Sequence, residues 1–253
     1  MRVTLLGTGT SGGVPSLGCH CAVCESNDPH DKRLRCAALV ETRSTRLLID
    51  CGPDIRQQLM PFPFRPLDGV LLTHKHYDHV AGIDDLRPFC VFGDIHIHTD
   101  KGTAAHLRTT MPYCFEDHLY PGAPRLRLHT IEKHVAQCIG DIRFTPIEVM
   151  HGVLPILGYS FGGFAYITDM KTINDEEMPY LAGVHTLVVN ALRVGRPHHS
   201  HQLLDDAIAF ARRVGAARTY IIHACHRMGL HREVNSHLPD GIRLAYDGQV
   251  IYV

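Results

Sequence analysis

His74-Lys75-His76-Tyr77-Asp78-His79 puts three imidazoles and one carboxylate within six residues. Imidazole nitrogen suits zinc and iron, and an added carboxylate oxygen admits manganese. His74 and His76 can project toward one point while Asp78 and His79 turn toward a second. One short loop could therefore serve two adjacent metal ions.

The hexapeptide resembles the metal-binding signature of the metallo-β-lactamase superfamily, a likeness that implies three further ligands downstream, at strand ends. His151 follows Ile147-Glu148-Val149-Met150, Asp169 follows Phe164-Ala165-Tyr166-Ile167-Thr168, and His223 follows Thr219-Tyr220-Ile221-Ile222. Each stands just past an apolar run, where a loop can leave a sheet. Taken singly, each reads as an ordinary turn or capping residue; beside the hexapeptide they form a set. Two metals a few ångströms apart can hold a hydroxide between them and stabilise charge developing on an attacked centre.

A second constellation lies near the N-terminus, where Gly7-Thr8-Gly9-Thr10-Ser11-Gly12-Gly13-Val14-Pro15 leads into Cys19-His20-Cys21-Ala22-Val23-Cys24. Three cysteines within six residues, with no secretory signal before them, suggest a metal rather than a disulfide. Tetrahedral zinc needs a fourth ligand, and His223-Ala224-Cys225-His226 offers His226; Cys225 and His20 compete for the place. The glycines are not spaced as a dinucleotide loop, and no phosphate-loop lysine follows them. They read as a tight turn.

The elements that must position these groups are strands above all. Val70-Leu71-Leu72, closed by Thr73, reads as a buried strand delivering the hexapeptide. Val3–Leu6, Ala37–Glu41, Arg46–Ile49, Ile95–Thr99 and Leu187–Asn190 read likewise. Residues 125–168 alternate in the strand manner, with glycines 158, 162 and 163 as hairpin marks. Helices are expected at Ile55–Leu59, from Val80 to Arg87, at Gly102–Thr110 and at Asp205–Val214, the last stopped by Gly215. The proline-broken stretch 60–66 is loop. The chain thus reads as one domain over 1–253, with two packed mixed sheets flanked by helices.

The motifs resemble those of the metallo-β-lactamase superfamily, and most of all the branch containing the phosphoribosyl 1,2-cyclic phosphate phosphodiesterases of phosphonate breakdown. GTGTSGGVP, the cysteine loop, HKHYDH, Asp84-Asp85-Leu86-Arg87, Ile167-Thr168-Asp169 and HACH carry the likeness. It implies the α/β fold of that superfamily, a four-layer αββα sandwich. It implies that His74, His76 and His151 hold one ion, that Asp78, His79 and His223 hold another, and that Asp169 bridges them. The ions would be manganese or zinc, with iron also admitted. Cys19, Cys21, Cys24 and His226 would hold a structural zinc bracing the loop of His223. The histidine at the start of the helix after Pro197-His198-His199-Ser200 maps to His201, a general acid or phosphate contact, with His198 as second choice. Asp78 would both ligate and orient the nucleophile. Asp50 is a candidate acceptor for a ligand histidine and equally a helix cap. His96, His98, His106, His118, His129 and His134 are left as structural or surface residues, and the segment from Pro88 to Tyr120 carries no decodable motif.

Composition narrows the substrate class. The formal net charge is −1, with 25 Lys and Arg against 26 Asp and Glu, and no basic run is present. Long nucleic acid is therefore not an expected partner, and the extended arm of tRNA 3′-processing enzymes is not visible. No apolar stretch reaches the ~20 residues needed to span a bilayer, so no membrane is expected. Nine cysteines, an odd number and mostly scattered, fit a reducing cytoplasm. The expectation is a metal-dependent hydrolase opening a small cyclic phosphate with a bridging hydroxide. A tRNA-processing nuclease and a thioester or lactone hydrolase are the alternatives. Oligomeric state stays open, a homodimer included.

Overall fold

Runs of β-branched and aliphatic residues, cut by glycine, proline and aspartate, form fourteen strands and six helices among the described residues. The computed structural model describes residues 1–116 and 118–253; Asp117, within the undecoded 88–120 segment, lies outside them. The first sheet comprises β1 (Arg2–Gly7), β2 (Ala37–Glu41), β3 (Arg46–Ile49), β4 (Gly69–Leu71), β5 (Ile95–Thr99), β6 (Leu126–Thr130) and β14 (Gln249–Tyr252), in the order β14-β1-β2-β3-β4-β5-β6. The second comprises β7 (Gln137–Ile139), β8 (Ile142–His151), β9 (Leu154–Ser160), β10 (Phe164–Ile167), β11 (Thr186–Asn190), β12 (Arg218–Ile222) and β13 (Ile242–Leu244), in the order β13-β12-β11-β10-β9-β8-β7. Strands β3 to β6 run parallel, as do β10 to β13.

Three apolar clusters make this a four-layer αββα sandwich. Leu47, Ile49, Leu71, Phe144, Tyr159 and Tyr166 pack between the sheets. Ile55 of α2 (Ile55–Leu59), with Ile83 and Leu86, covers the outer face of the first sheet. Ala207, Phe210 and Ala211 of α5 (Leu204–Val214) cover that of the second. Fully buried parallel strands such as Thr186–Asn190 and Phe164–Ile167 read as continuous apolar runs for this reason. The remaining helices are α1 (Ala22–Glu25), α3 (Tyr77–Val80), α4 (Lys101–Thr110) and α6 (His231–His237). No helix among the described residues is long and apolar enough to cross a membrane.

Two local expectations need correction. Gly158 lies inside β9 instead of at a hairpin, because its missing side chain lets Ile147 and Ile167 close on the strand. The turn before β9 is made by Gly152, at φ 63°. The helical stretch expected from Val80 is instead the end of α3, which already includes Asp78 and His79. A 3-10 segment, Ile83–Phe92, follows it.

The close approach of two segments needs glycine at 52 and 82. A Cβ at Gly52 would overlap the Asp78 carbonyl oxygen, and one at Gly82 would overlap the Gly52 carbonyl oxygen. The turn after β3 is thereby locked against the loop after β4.

Candidate metal centre

The carboxyl ends of β3, β4, β8, β10, β11 and β12 open at one rim of the sandwich. Ligands in open α/β sheets gather outside such ends. The turn after β4 carries His74 and His76 and leads into α3 with Asp78 and His79. The end of β8 carries His151, and the turns after β10 and β12 carry Asp169 and His223.

These seven residues converge in two adjoining groups. His74, His76 and His151 present nitrogens within 4.8 Å of one another, and so do the donor atoms of Asp78, His79, Asp169 and His223. His74 Nε2 and His76 Nδ1 are 2.9 Å apart. In the second group His79 Nε2 lies 3.2 Å from Asp78 Oδ2 and 3.4 Å from Asp169 Oδ1. His223 Nε2 lies 3.2 Å from Asp169 Oδ1. The other oxygen of Asp169, Oδ2, is 3.9 Å from His74 Nε2 in the first group. One carboxylate therefore faces both groups, an oxygen to each.

In His79, His74 and His151 the opposite ring nitrogens are already engaged, which fixes their tautomers. His79 Nδ1 donates to Asp50 Oδ2 at 2.7 Å. His74 Nδ1 is 3.0 Å from the Thr73 hydroxyl, which itself donates to Asp50. His151 Nδ1 donates to the Ser200 carbonyl at 2.9 Å. Ligating histidines characteristically hand their second N–H to such acceptors. Asp50 thus serves as acceptor, while the N-cap position of α2 belongs to Asp54.

The donor set also fits a cation by what it leaves unsatisfied. His79 Nε2 and both ring nitrogens of His223 are buried without a hydrogen-bond partner, a costly arrangement unless something else fills the position. Charge says the same. Burial works against a charged His223, yet Asp169 and Asp78 push it up to about 9. Burial likewise opposes charge on His79, but Asp169, Asp50 and Asp78 override it and raise it. Burial disfavours the charged forms of Asp78 and Asp169 too. His79 and His223 outweigh this and hold both below the ordinary carboxylate range. The pocket's carboxylates demand positive charge at its centre. His74, by contrast, is kept neutral by burial and by His79.

Backbone strain concentrates here. Among the described residues four non-glycines have positive φ, and Asp50 (59°), Asp169 (56°) and His223 (58°) are three of them; His134 is the fourth. Non-glycine residues in the left-handed region persist where the surroundings dictate them, commonly at functional sites. The sequence holds no sign of it.

His201 is buried and stacks on His223 with ring centroids 4.8 Å apart, and its ring lies tilted against that of His151 at 4.5 Å. Its donor atom also falls within 4.8 Å of those of His151 and Asp169. Burial, then the neighbouring His223, push it down to about 2, so it stands as a neutral imidazole. His198 lies behind it, centroids 5.0 Å apart, with Nδ1 turned to the Ser200 amide.

The cysteine loop meets the segment after β12 as a separate group. Cys19, Cys21 and Cys24 Sγ are 3.1, 3.4 and 3.5 Å from His226 Nδ1. A tetrahedron with Zn–S ≈ 2.3 Å and Zn–N ≈ 2.0–2.1 Å has S···N edges of about 3.5 Å. The backbone N–H of Cys24, with His226, lowers the Cys21 thiol to about 6, whereas burial pushes Cys24 up to about 11. His20 faces Glu25, and Cys225 stays outside this group.

Sequence reasoning missed Thr73, Asn190 and Lys171. Asn190 clasps Met170, accepting from its N–H at 2.8 Å and donating to its carbonyl at 3.0 Å, which fixes the turn behind Asp169. A polar residue ending the buried run Leu187-Val188-Val189 was its one available signal.

A domain described as "Beta-lactamase superfamily domain" matches residues 45–224. An octanoyltransferase of Porphyromonas gingivalis is 43% identical over 249 residues, covering 98% of this chain and 51% of that protein. The chain thus spans about half the length of this curated relative. The crystal structure of a diphosphatase of the PhnP family superposes with a TM-score of 0.91 at 37% identity, over 99% of this chain and 97% of the other. Zn²⁺-bound PqqB of Methylobacterium extorquens matches with a TM-score of 0.79 at 21% identity over the whole of both chains, a likeness of fold.

Proposed function

The chain belongs to the β-lactamase superfamily and has the fold of its metal-dependent hydrolases, and from this premise we propose a phosphodiesterase that opens a small cyclic phosphate. The observation that carries the reading is Asp169, whose two oxygens face the two histidine groups. A carboxylate so placed suits a pair of divalent ions. The likeness to a PhnP-family diphosphatase supports phosphoryl chemistry, and within it the resemblance of the motifs to the phosphoribosyl cyclic phosphate phosphodiesterases makes 5-phosphoribosyl 1,2-cyclic phosphate the substrate we propose.

In this reading His74, His76 and His151 would hold one ion, Asp78, His79 and His223 would hold the other, and Asp169 would serve both. Bound there, the ions, manganese, zinc or iron, would supply Lewis-acid charge for the phosphoryl oxygens and acidify water. Asp78, at the front of α3, orients the attacking water. The water oxygen bonds to phosphorus and one ring P–O bond breaks; the water gives up one proton to solvent and the leaving alkoxide takes one. His201 is the donor in this reading: neutral at rest because burial and the neighbouring imidazoles disfavour its charge, it would first take that proton from solvent. Cys19, Cys21, Cys24 and His226 would hold a structural zinc, which would pin the segment carrying His223.

The test is phosphorus NMR of a five-membered ribosyl cyclic phosphate, incubated with Mn²⁺- or Zn²⁺-reconstituted protein and with Asp78→Ala as control. Conversion to a phosphomonoester by the wild type alone supports the proposal. Inertness with both metals overturns it.

A second reading, acyl-thioester hydrolysis, draws on the octanoyltransferase relative and on Tyr77 and Val153, 73% and 95% exposed beside the site. Octanoyl thioesters run in parallel decide between them: thioester turnover without phosphodiester turnover would replace the first reading.

A further inference from the structure

Glu41 ends β2 with an arginine directly opposite it on each neighbouring strand, Arg2 on β1 and Arg46 on β3. Arg2 donates to Glu41 Oε2 at 2.7 Å, and Arg46 Nε donates to Oε1 at 2.8 Å. A third guanidinium, that of Arg65 in the proline-broken loop, donates to Oε1 at 2.6 Å. Burial disfavours a charged Glu41, but Arg46 and Arg65 outweigh it and hold the carboxyl below its ordinary range. One arginine neutralises such a carboxylate. Arg46, buried beside it, does so and also donates to the Pro63 carbonyl at 3.0 Å. Arg2 and Arg65 are surplus to that pairing, and their side chains stay 43% and 41% exposed. With Arg43 and Tyr252 these residues line a cleft of about 690 Å³. Arg43 is exposed and has no ion pair among the described residues. Four guanidiniums against one carboxylate leave three positive charges in the cleft, in a chain whose formal net charge is −1. Asp68 and Asp141 stand outside the lining, the first accepting from the Arg46 amide and the second from the Thr42 hydroxyl, both at 2.7 Å.

We propose that this cleft binds a small molecule carrying two phosphate groups, at a site separate from the metal centre. Arg46 opens β3 and Asp50 follows its last residue, so the cleft lies a strand's length, roughly 13 Å, from the metal rim. The planar guanidinium fork matches the oxygens of a phosphate two at a time. Arg2 and Arg65 hang on different oxygens of Glu41 and so present two separate points of positive charge. A phosphate monoester group carries about −1.5 to −2 near neutral pH. Two such groups answer three surplus positive charges more fully than two carboxylates do. Glu41 holds the arginine heads in place beforehand, so less side-chain freedom is lost when the anion arrives. The volume is that of a small-molecule site, for which about 300–1,000 Å³ is usual.

The test is titration calorimetry at low salt on metal-loaded wild type, Arg43→Gln, Arg65→Gln, Arg65→Lys and Asp169→Ala, with circular dichroism and metal content measured for each. Fructose 1,6-bisphosphate is the probe, and fructose 6-phosphate and tricarballylate are the comparisons. The bisphosphate should bind saturably, and about tenfold or more tighter than the monophosphate, the difference of one charged contact. Arg65→Gln and Arg43→Gln should each weaken it by about 10–100-fold while keeping their metal. Arg65→Lys should recover only part of the loss, since an ammonium keeps the charge without the fork. Asp169→Ala should bind the bisphosphate within about twofold of wild type, because the two sites are distant. Arg43 makes no contact that folding depends on, so its variant carries the test even where Arg65→Gln misfolds. Absence of saturable binding, wild-type affinity in both Gln variants, or loss of binding in Asp169→Ala would overturn the proposal. Tighter binding of tricarballylate than of the bisphosphate would overturn the assignment of phosphate.

Discussion

His79 Nδ1 and Asp50 Oδ2 meet at 2.7 Å with both side chains wholly buried. This contact sets the ring so that Nε2 faces Asp78 and Asp169, and the same carboxylate takes the Thr73 amide and hydroxyl. Asp50→Asn keeps the shape and removes the charge. Because partners of ligand histidines contribute about 10–100-fold to metal affinity, the variant should release metal to a chelator at correspondingly lower competitor concentration. Unchanged affinity would count against an orienting role.

Asp169→Ala and Asp78→Ala should each cut turnover by about 10²–10⁴-fold, the several kcal/mol that metal-centred charge stabilisation supplies. Both should retain the wild-type far-ultraviolet circular dichroism and lose metal stoichiometry. Wild-type rates in either would refute the two-ion assignment.

Cys21→Ser tests the other group. Structural zinc contributes to folding directly, and a loss of about 3 kcal/mol in a chain of this size lowers Tm by roughly 6–12 °C. Zinc content should drop by one equivalent while the catalytic pair stays loaded. An unchanged Tm with unchanged zinc would remove the structural site.

Acid stability should register His98, half-buried on β5. Burial, then the nearby His129 and His96, push it down to about 4. An unfolded histidine titrates near 6.5, so between those values the unfolded chain binds the proton and the native one does not. The stability present above pH 6.5 is therefore lost as pH falls toward 4. Solvent at this half-exposed ring screens the effect, leaving about 1 kcal/mol. His98→Gln should flatten the decline of Tm across that window; a slope equal to wild type would rule His98 out as its source.

Gly52→Ala should destabilise the protein by about 1–3 kcal/mol, as overpacking commonly does, because the new methyl meets the Asp78 carbonyl oxygen. The displaced α3 should bind metal more weakly as well. Differential calorimetry and metal titration read the two effects, and wild-type values in both would show that the turn yields freely.

Much of this architecture is written in local pattern. The apolar runs ahead of His74, Asp169 and His223 predict buried strands, and Thr186–Asn190 and Leu204–Val214 appear where composition and Gly215 put them. The convergence of seven donors on one rim comes from the strand order and needed the family likeness to be anticipated. What pattern could not reveal is long-range pairing. Asp50 reads equally as a cap or an acceptor until β3 and β4 are seen side by side. Gly158 reads as a turn because a glycine in sequence does not disclose that Ile147 and Ile167 crowd it. Ser200 enters through its carbonyl, which no side-chain pattern encodes.

The position of β1 has a consequence for synthesis. This first strand lies between β2 and β14, joined to the last strand from Arg2↔Tyr252 to Leu5↔Gln249. The Asp247 carboxylate, just before β14, takes the amides of Thr8 and Leu34. During synthesis β1 therefore has one flank unpaired until the residues of β14 have emerged, more than two hundred positions later. Such non-local pairing slows folding, and a bare strand flank invites association with other chains. The nascent chain is accordingly most exposed to such association before β1 and β14 pair.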